Sequence, residues 1–203
     1  MHQIIRTLLP CAALALAACG TSETDDAPIE AELGADLRGS GIGGPFELTG
    51  EDGQTVRWDD FDGQYRIIYF GYTFCPDFCP TDVSRAMAGL KTFEQEHPER
   101  AAKVQPLFVG VDPERDTLQA LREFTDQYHP RLIGMTGEPE VLQETAKAFA
   151  ADFRKREPNE EGGYLVDHTV ITYLFGPDGE ALTTLATDQG PEAVARQLDS
   201  WVR

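Results

Sequence analysis

The sequence predicts an α/β fold, a mixed central sheet with helices on both faces. Three features carry that prediction. Residues 66–72 and 104–111 are nearly continuous apolar, β-favouring runs, which read as strands buried on both sides. Between them, residues 81–97 place Val83, Met87, Leu90 and Phe93 at spacings of three and four, as a helix with one buried face requires. Toward the C-terminus, Pro177-Asp178-Gly179 joins two further strand-like runs into a hairpin ahead of a last helix.

The other elements follow in order. Residues 45–49 and 55–58 read as short strands around a turn at 50–53. Asp116 is a candidate cap for a helix over 117–128. Pro139 opens a helix expected to run to about Phe153. Residues 169–175 and 181–186 are the two strands of the hairpin, and Gly190-Pro191 opens a final helix ending near Trp201. Strands alternating with helices imply a sheet covered on both faces. A hairpin before the last helix, with a cysteine pair directly after the first central strand, is the thioredoxin arrangement.

The chain has 203 residues, 41% of them hydrophobic, which suits one packed core plus an extension. A net charge of -18 repels phosphates, so nucleic-acid binding is excluded and electrostatic docking on anionic lipid is disfavoured. Residues 1–18 read as an export signal, with a positive charge at Arg6 and an apolar or small run over 8–18. As a helix, residues 7–18 would span roughly 18 Å, short of the roughly 30 Å hydrocarbon core. Leu16-Ala17-Ala18-Cys19-Gly20 resembles a bacterial lipobox, in which Cys19 is acylated and becomes the first residue. The plainer alternative is an ordinary signal cut near Ala18, with Cys19 left free. Residues 19–44, rich in Asp, Glu, Ser and Gly, read as a flexible tether. Within it, Gly39-Ser40-Gly41-Ile42-Gly43-Gly44 is expected to hold almost no fixed structure. The folded domain is then 45–203, held outside the cytoplasmic membrane, in the periplasm for a two-membrane bacterium.

Of four cysteines, Cys11 and Cys19 belong to the signal region, leaving Cys75 and Cys79 for the domain. One close pair is not a disulfide scaffold. The pair lies where a buried strand gives way to a helix, and free N–H groups and the helix dipole favour thiolate there. Pro80 suits the first helical position. Three intervening residues allow a disulfide, or two sulfurs around one ion. A purely structural disulfide would gain little from so short a loop, which leaves redox chemistry or metal binding. A metal needs a further ligand. His2 leaves with the signal, and His97 and His129 each precede a proline at a helix end and read as surface caps. His168 stands at the entry to the strand over 169–175, facing the cysteine loop in a thioredoxin-like topology. Taken alone, a histidine there is more simply a half-buried residue bonded to backbone. Two thiolates and one imidazole suit copper, with zinc as the competitor.

Four ordered blocks resemble the Sco/SenC family of copper proteins. They are Gly71-Tyr72-Thr73-Phe74-Cys75-Pro76-Asp77-Phe78-Cys79-Pro80, Val111-Asp112-Pro113-Glu114-Arg115-Asp116-Thr117, Tyr164-Leu165-Val166-Asp167-His168-Thr169, and Tyr173-Leu174 with Pro177-Asp178-Gly179. The resemblance implies a thioredoxin-like fold and copper, as Cu(I) and also as Cu(II), held by Cys75, Cys79 and His168. It implies a metallochaperone that helps assemble the dinuclear copper centre of cytochrome c oxidase. Its partners would be the copper-site subunit of the oxidase, with a copper donor protein or a thiol reductant. Asp112 matches an acidic position near the site, as support behind the ligands or part of a partner surface; otherwise it caps its loop. The alternative is a thiol–disulfide reductase that uses Cys75 and Cys79 as a redox-active pair to keep a target's cysteines reduced. Many relatives have a transmembrane anchor, where this chain has Cys19.

Overall fold

The computed structural model describes residues 34–203. The signal, Cys19 and the tether as far as residue 33 lie outside the described residues. The elements are β1 (Glu47–Gly50), β2 (Thr55–Arg57), β3 (Tyr65–Gly71), α1 (Phe78–Glu96), α2 (Pro98–Ala101), β4 (Val104–Gly110) and α3 (Leu118–Thr125). Then come β5 (Ile133–Thr136), α4 (Pro139–Ala148), β6 (Phe153–Lys155), β7 (Val166–His168), β8 (Thr172–Phe175), β9 (Ala181–Leu185) and α5 (Pro191–Trp201). Seven strands form one mixed sheet in the order β2-β1-β5-β4-β3-β8-β9, while β6 and β7 pair separately. Strands β3, β4 and β5 run parallel; on the other side of β3, β8 pairs antiparallel with β3, and β9 antiparallel with β8. The fold is thioredoxin-like, as expected.

Every residue of β3 is buried, which is why that stretch carries no alternation. Its two faces meet different helices. Tyr69 reaches Asp82 of α1, and its stacked neighbour Phe108 on β4 meets Phe124 of α3. Phe70, on the opposite face, meets Phe149 just after α4. Arg66 is fully buried, yet its guanidinium donates to the Gly176 carbonyl and to Asp62, so the charge is paired. Helix α1 crosses α5 closely at Gly89, where a Cβ would fall 2.6 Å from Val194.

Several sequence expectations are corrected. The stretch over 39–44 is not loose: the Leu37 N–H donates to Leu182 O, the Gly43 N–H donates to Ala148 O, and Leu37 and Ile42 pack on the core. Strand β5 was unforeseen, because four residues with Gly134 inside carry little pattern. Helix α4 stops at Ala148 instead of near Phe153, since Ala150 turns to a positive φ of 50°. The chain then forms the hairpin β6–β7, so His168 ends β7 instead of opening β8. Helix α1 starts at Phe78, which puts Cys79 in its first turn and Pro80 beyond the first position. Thr117, not Asp116, caps α3, accepting from the Ala120 N–H at 3.1 Å. His129 is buried, with Nε2 3.2 Å from Glu94 and Nδ1 accepting from the Arg131 N–H.

Candidate metal centre

Strand β3 delivers the chain to the site and α1 receives it. Gly71 closes the strand where no side chain fits, since a Cβ there would lie 2.8 Å from the Cys79 sulfur. Cys79 is fully buried against that backbone, and Cys75 is half-buried in the loop above. The backbone N–H of Cys79 points at the Cys75 sulfur at 3.5 Å, within the sulfur range and at the positive end of α1.

The two thiols are thereby made unequal. Cys75 is lowered to about 4, chiefly by the hydrogen bond from Cys79; burial opposes this, and the backbone N–H groups of Asp77 and Cys79 assist. Cys79 is pushed up, first by that same bond to Cys75 and then by burial. Cys75 is thus the more acidic thiol of the pair and Cys79 the less acidic.

His168 arrives from the hairpin, where it pairs with Phe153 across β6–β7. Its Nδ1 lies 3.1 Å from the Thr169 carbonyl, which can only accept, so Nδ1 carries the hydrogen. That leaves the Nε2 lone pair facing the Cys79 sulfur at 3.2 Å. The rings of Tyr69 and Tyr72 stand nearly perpendicular to it, with centroids 6.0 and 5.7 Å away. One donor atom each from Cys75, Cys79 and His168 lies within 4.8 Å of the others. Two soft sulfurs and an aimed imidazole nitrogen fit a copper ion in both spacing and donor type.

The loop after β4 ties the two ligand-bearing segments together. Asp116 is 1% exposed and accepts from the Thr73 N–H and hydroxyl, both at 2.8 Å, and from the Asp112 N–H at 3.0 Å. It therefore fastens the cysteine loop. Asp112 is also buried, which removes the partner-surface alternative; it accepts from Arg115 and from the Tyr164 hydroxyl. Arg115 donates to the Tyr164 carbonyl and lies over the rings of Tyr164, Tyr72 and Phe74 at 3.7, 5.5 and 5.4 Å. Arg115 and Tyr164 were legible in the sequence only as members of matching blocks, and Asp116 otherwise only as a candidate helix cap.

Burial raises the Asp116 carboxyl to about 6, against the bonds from Thr73 and Asp112 that favour its ionised form. A raised carboxyl stabilises the fold fully below its unfolded value, and that contribution is lost as pH rises through about 6. In urea unfolding between pH 4 and 7, this group's contribution should decline by roughly 2 kcal/mol. The decline should be absent from Asp116→Ala, and an unchanged profile in that variant would contradict the assignment.

The family model described as SCO1/SenC matches residues 35–203. The chain belongs to the SCO1/SenC family. The SenC protein of Rhodobacter capsulatus is 42% identical to it over 154 residues, 76% of this chain and 67% of SenC. The human mitochondrial SCO1 homolog is 35% identical over 162 residues, 80% of this chain and 53% of the human protein. This SCO1/SenC chain spans about half the length of the mammalian relatives it matches. The copper-bound structure of Bradyrhizobium japonicum ScoI superposes with a TM-score of 0.71 at 33% identity, covering 79% of this chain and 99% of that one.

Proposed function

We propose that this SCO1/SenC protein carries copper to the dinuclear copper centre of cytochrome c oxidase, binding it through Cys75, Cys79 and His168. The observation that carries the reading is the convergence of three donor atoms within 4.8 Å, one of them an imidazole nitrogen whose lone pair faces the Cys79 sulfur. Cys75, half-buried, is the sulfur an incoming acceptor reaches first, while Cys79 holds from below. Asp112, acting through Arg115 and Tyr164, keeps the histidine segment in place. The unequal thiols favour a second reading, a thiol–disulfide reductase with Cys75 as nucleophile and Cys79 as resolving thiol. Metal analysis with an affinity measurement separates the two: one copper per reduced chain, held much more weakly in His168→Ala, supports the carrier. Full copper binding without His168 would exclude the three-ligand site.

We propose further that the protein is held to a bacterial membrane by acylated Cys19. The support is Leu16-Ala17-Ala18-Cys19 at the end of an apolar run. No helix among the described residues is long and apolar enough to cross a membrane. Expressed in a bacterium, the protein should fractionate with membranes and carry acyl chains by mass spectrometry, and Cys19→Ser should release it. A wild type with an unmodified N-terminus in the soluble fraction refutes the anchor.

A further inference from the structure

A groove of about 590 Å³ runs beside the metal centre without including any of its ligands. One wall is the first two turns of α1, with Asp77, Phe78, Asp82 and Arg85; the others are the approach to β8, with Val170 and Thr172, and the turn after β9, with Asp188. Phe78 is 57% exposed and Val170 42%. A single exposed apolar side chain needs no explanation, but two on facing segments of one groove invite a cover. Thr172 is 2% exposed, and its hydroxyl has no hydrogen-bond partner among the described residues. Such a buried orphan is costly unless something entering the groove completes it.

Charge narrows the occupant. Asp77, Asp82 and Asp188 face one cation, Arg85, whose Nη1 already donates to the Thr187 carbonyl at 3.1 Å. The groove is therefore negative, on a protein of net charge -18. We propose that it binds an extended segment of the copper-receiving partner, one that sets a Lys or Arg beside an apolar residue. The apolar side chain covers Phe78 and Val170, the cation meets the carboxylates, and a backbone group satisfies Thr172. An extended chain suits the open, side-chain-lined walls, because its alternate residues point to opposite sides. The occupant lies close to the ligands: Asp82 accepts from the Tyr69 hydroxyl at 3.3 Å, and the Tyr69 ring abuts His168. This inference rests on the copper-carrier reading for the partner's identity, but not for the groove's chemistry.

The test uses the reduced, ¹⁵N-labelled full chain, with and without Cu(I), and two end-capped pentapeptides. One alternates leucine with lysine; the other has glutamate in place of lysine. The lysine peptide should shift the amide signals of residues 77–85, 170–172 and 184–189. It should bind at least about ten-fold tighter than the glutamate peptide at low salt, with the preference shrinking as salt rises. Asp188→Lys and Val170→Ser, both at exposed positions, should each weaken it by about three-fold or more. Equal binding of the two peptides, shifts confined to another face, or no binding at millimolar peptide overturns the proposal. Copper stoichiometry measured on the same sample reports separately on the carrier reading.

Discussion

His168→Ala lowers the Cu(I) affinity of the reduced protein by at least about 100-fold, and Cys75→Ala and Cys79→Ala lower it further. Substitutions that only support a metal ligand cost about 10- to 100-fold, so removing a ligand falls at or beyond the upper end. Cu(I) is soft, and loss of a thiolate removes both charge and the better-matched donor; loss of the imidazole leaves two sulfurs that still grip the ion. The cysteine variants should therefore be the worse pair. Competition against a colorimetric Cu(I) chelator measures the affinities. Cys79 is fully buried beside Gly71, so Cys79→Ser, nearly isosteric, accompanies Cys79→Ala with a melting curve for each. His168→Ala retaining wild-type affinity would remove the histidine from the site.

Oxidation of Cys75 and Cys79 to a disulfide abolishes Cu(I) binding, and bound Cu(I) protects both thiols from alkylation. Forming the disulfide sends two electrons to the oxidant, diamide in this assay, which becomes the hydrazine by taking up two protons from the thiols and water. Sulfurs so joined have no thiolate charge to give the ion, so the two states exclude each other. Cys75 and Cys79 are not bonded to each other in the structure, and the lowered Cys75 favours the thiolate that attacks an oxidant. Alkylation followed by mass spectrometry, on oxidised and reduced protein with and without Cu(I), reads the four states. A phosphine reductant should restore binding in full. If oxidised protein holds Cu(I) as tightly as reduced, the cysteines are not ligands and the reductase reading moves ahead.

The cysteine pair was legible because its setting is local. A continuous apolar run, a four-residue cysteine spacing and a helical period in succession identify a strand–loop–helix junction without any distant contact. His168 lies 89 residues from Cys79, and was reached only through the topology and the matching blocks. What aims it was hidden. Strand β6 contains Arg154 and Lys155, so it reads as the end of a helix, and only the positive φ of Ala150 turns it into the hairpin that holds His168.

Asp116 illustrates the same limit. A short polar residue before a helix matches the pattern of a cap, yet Thr117 takes that place and Asp116 turns inward to Thr73, 43 residues back. Gly71 gave no sign that a sulfur would fill the space its side chain leaves. The sequence by itself determined the order of the main strands and helices and the thiolate-favouring place of Cys75 and Cys79. Those depend on residues a few places apart, where backbone period and spacing act directly; His168 needed the inferred topology and the family resemblance as well. The tertiary structure alone decided how the loop after β4 clamps both ligand segments, why one thiol is lowered and the other raised, and where a negative groove opens beside them. The clamp and the groove are contacts between stretches distant along the chain, and the thiol inequality, though set first by the close Cys75–Cys79 bond, also needs the burial that the packed sheet supplies.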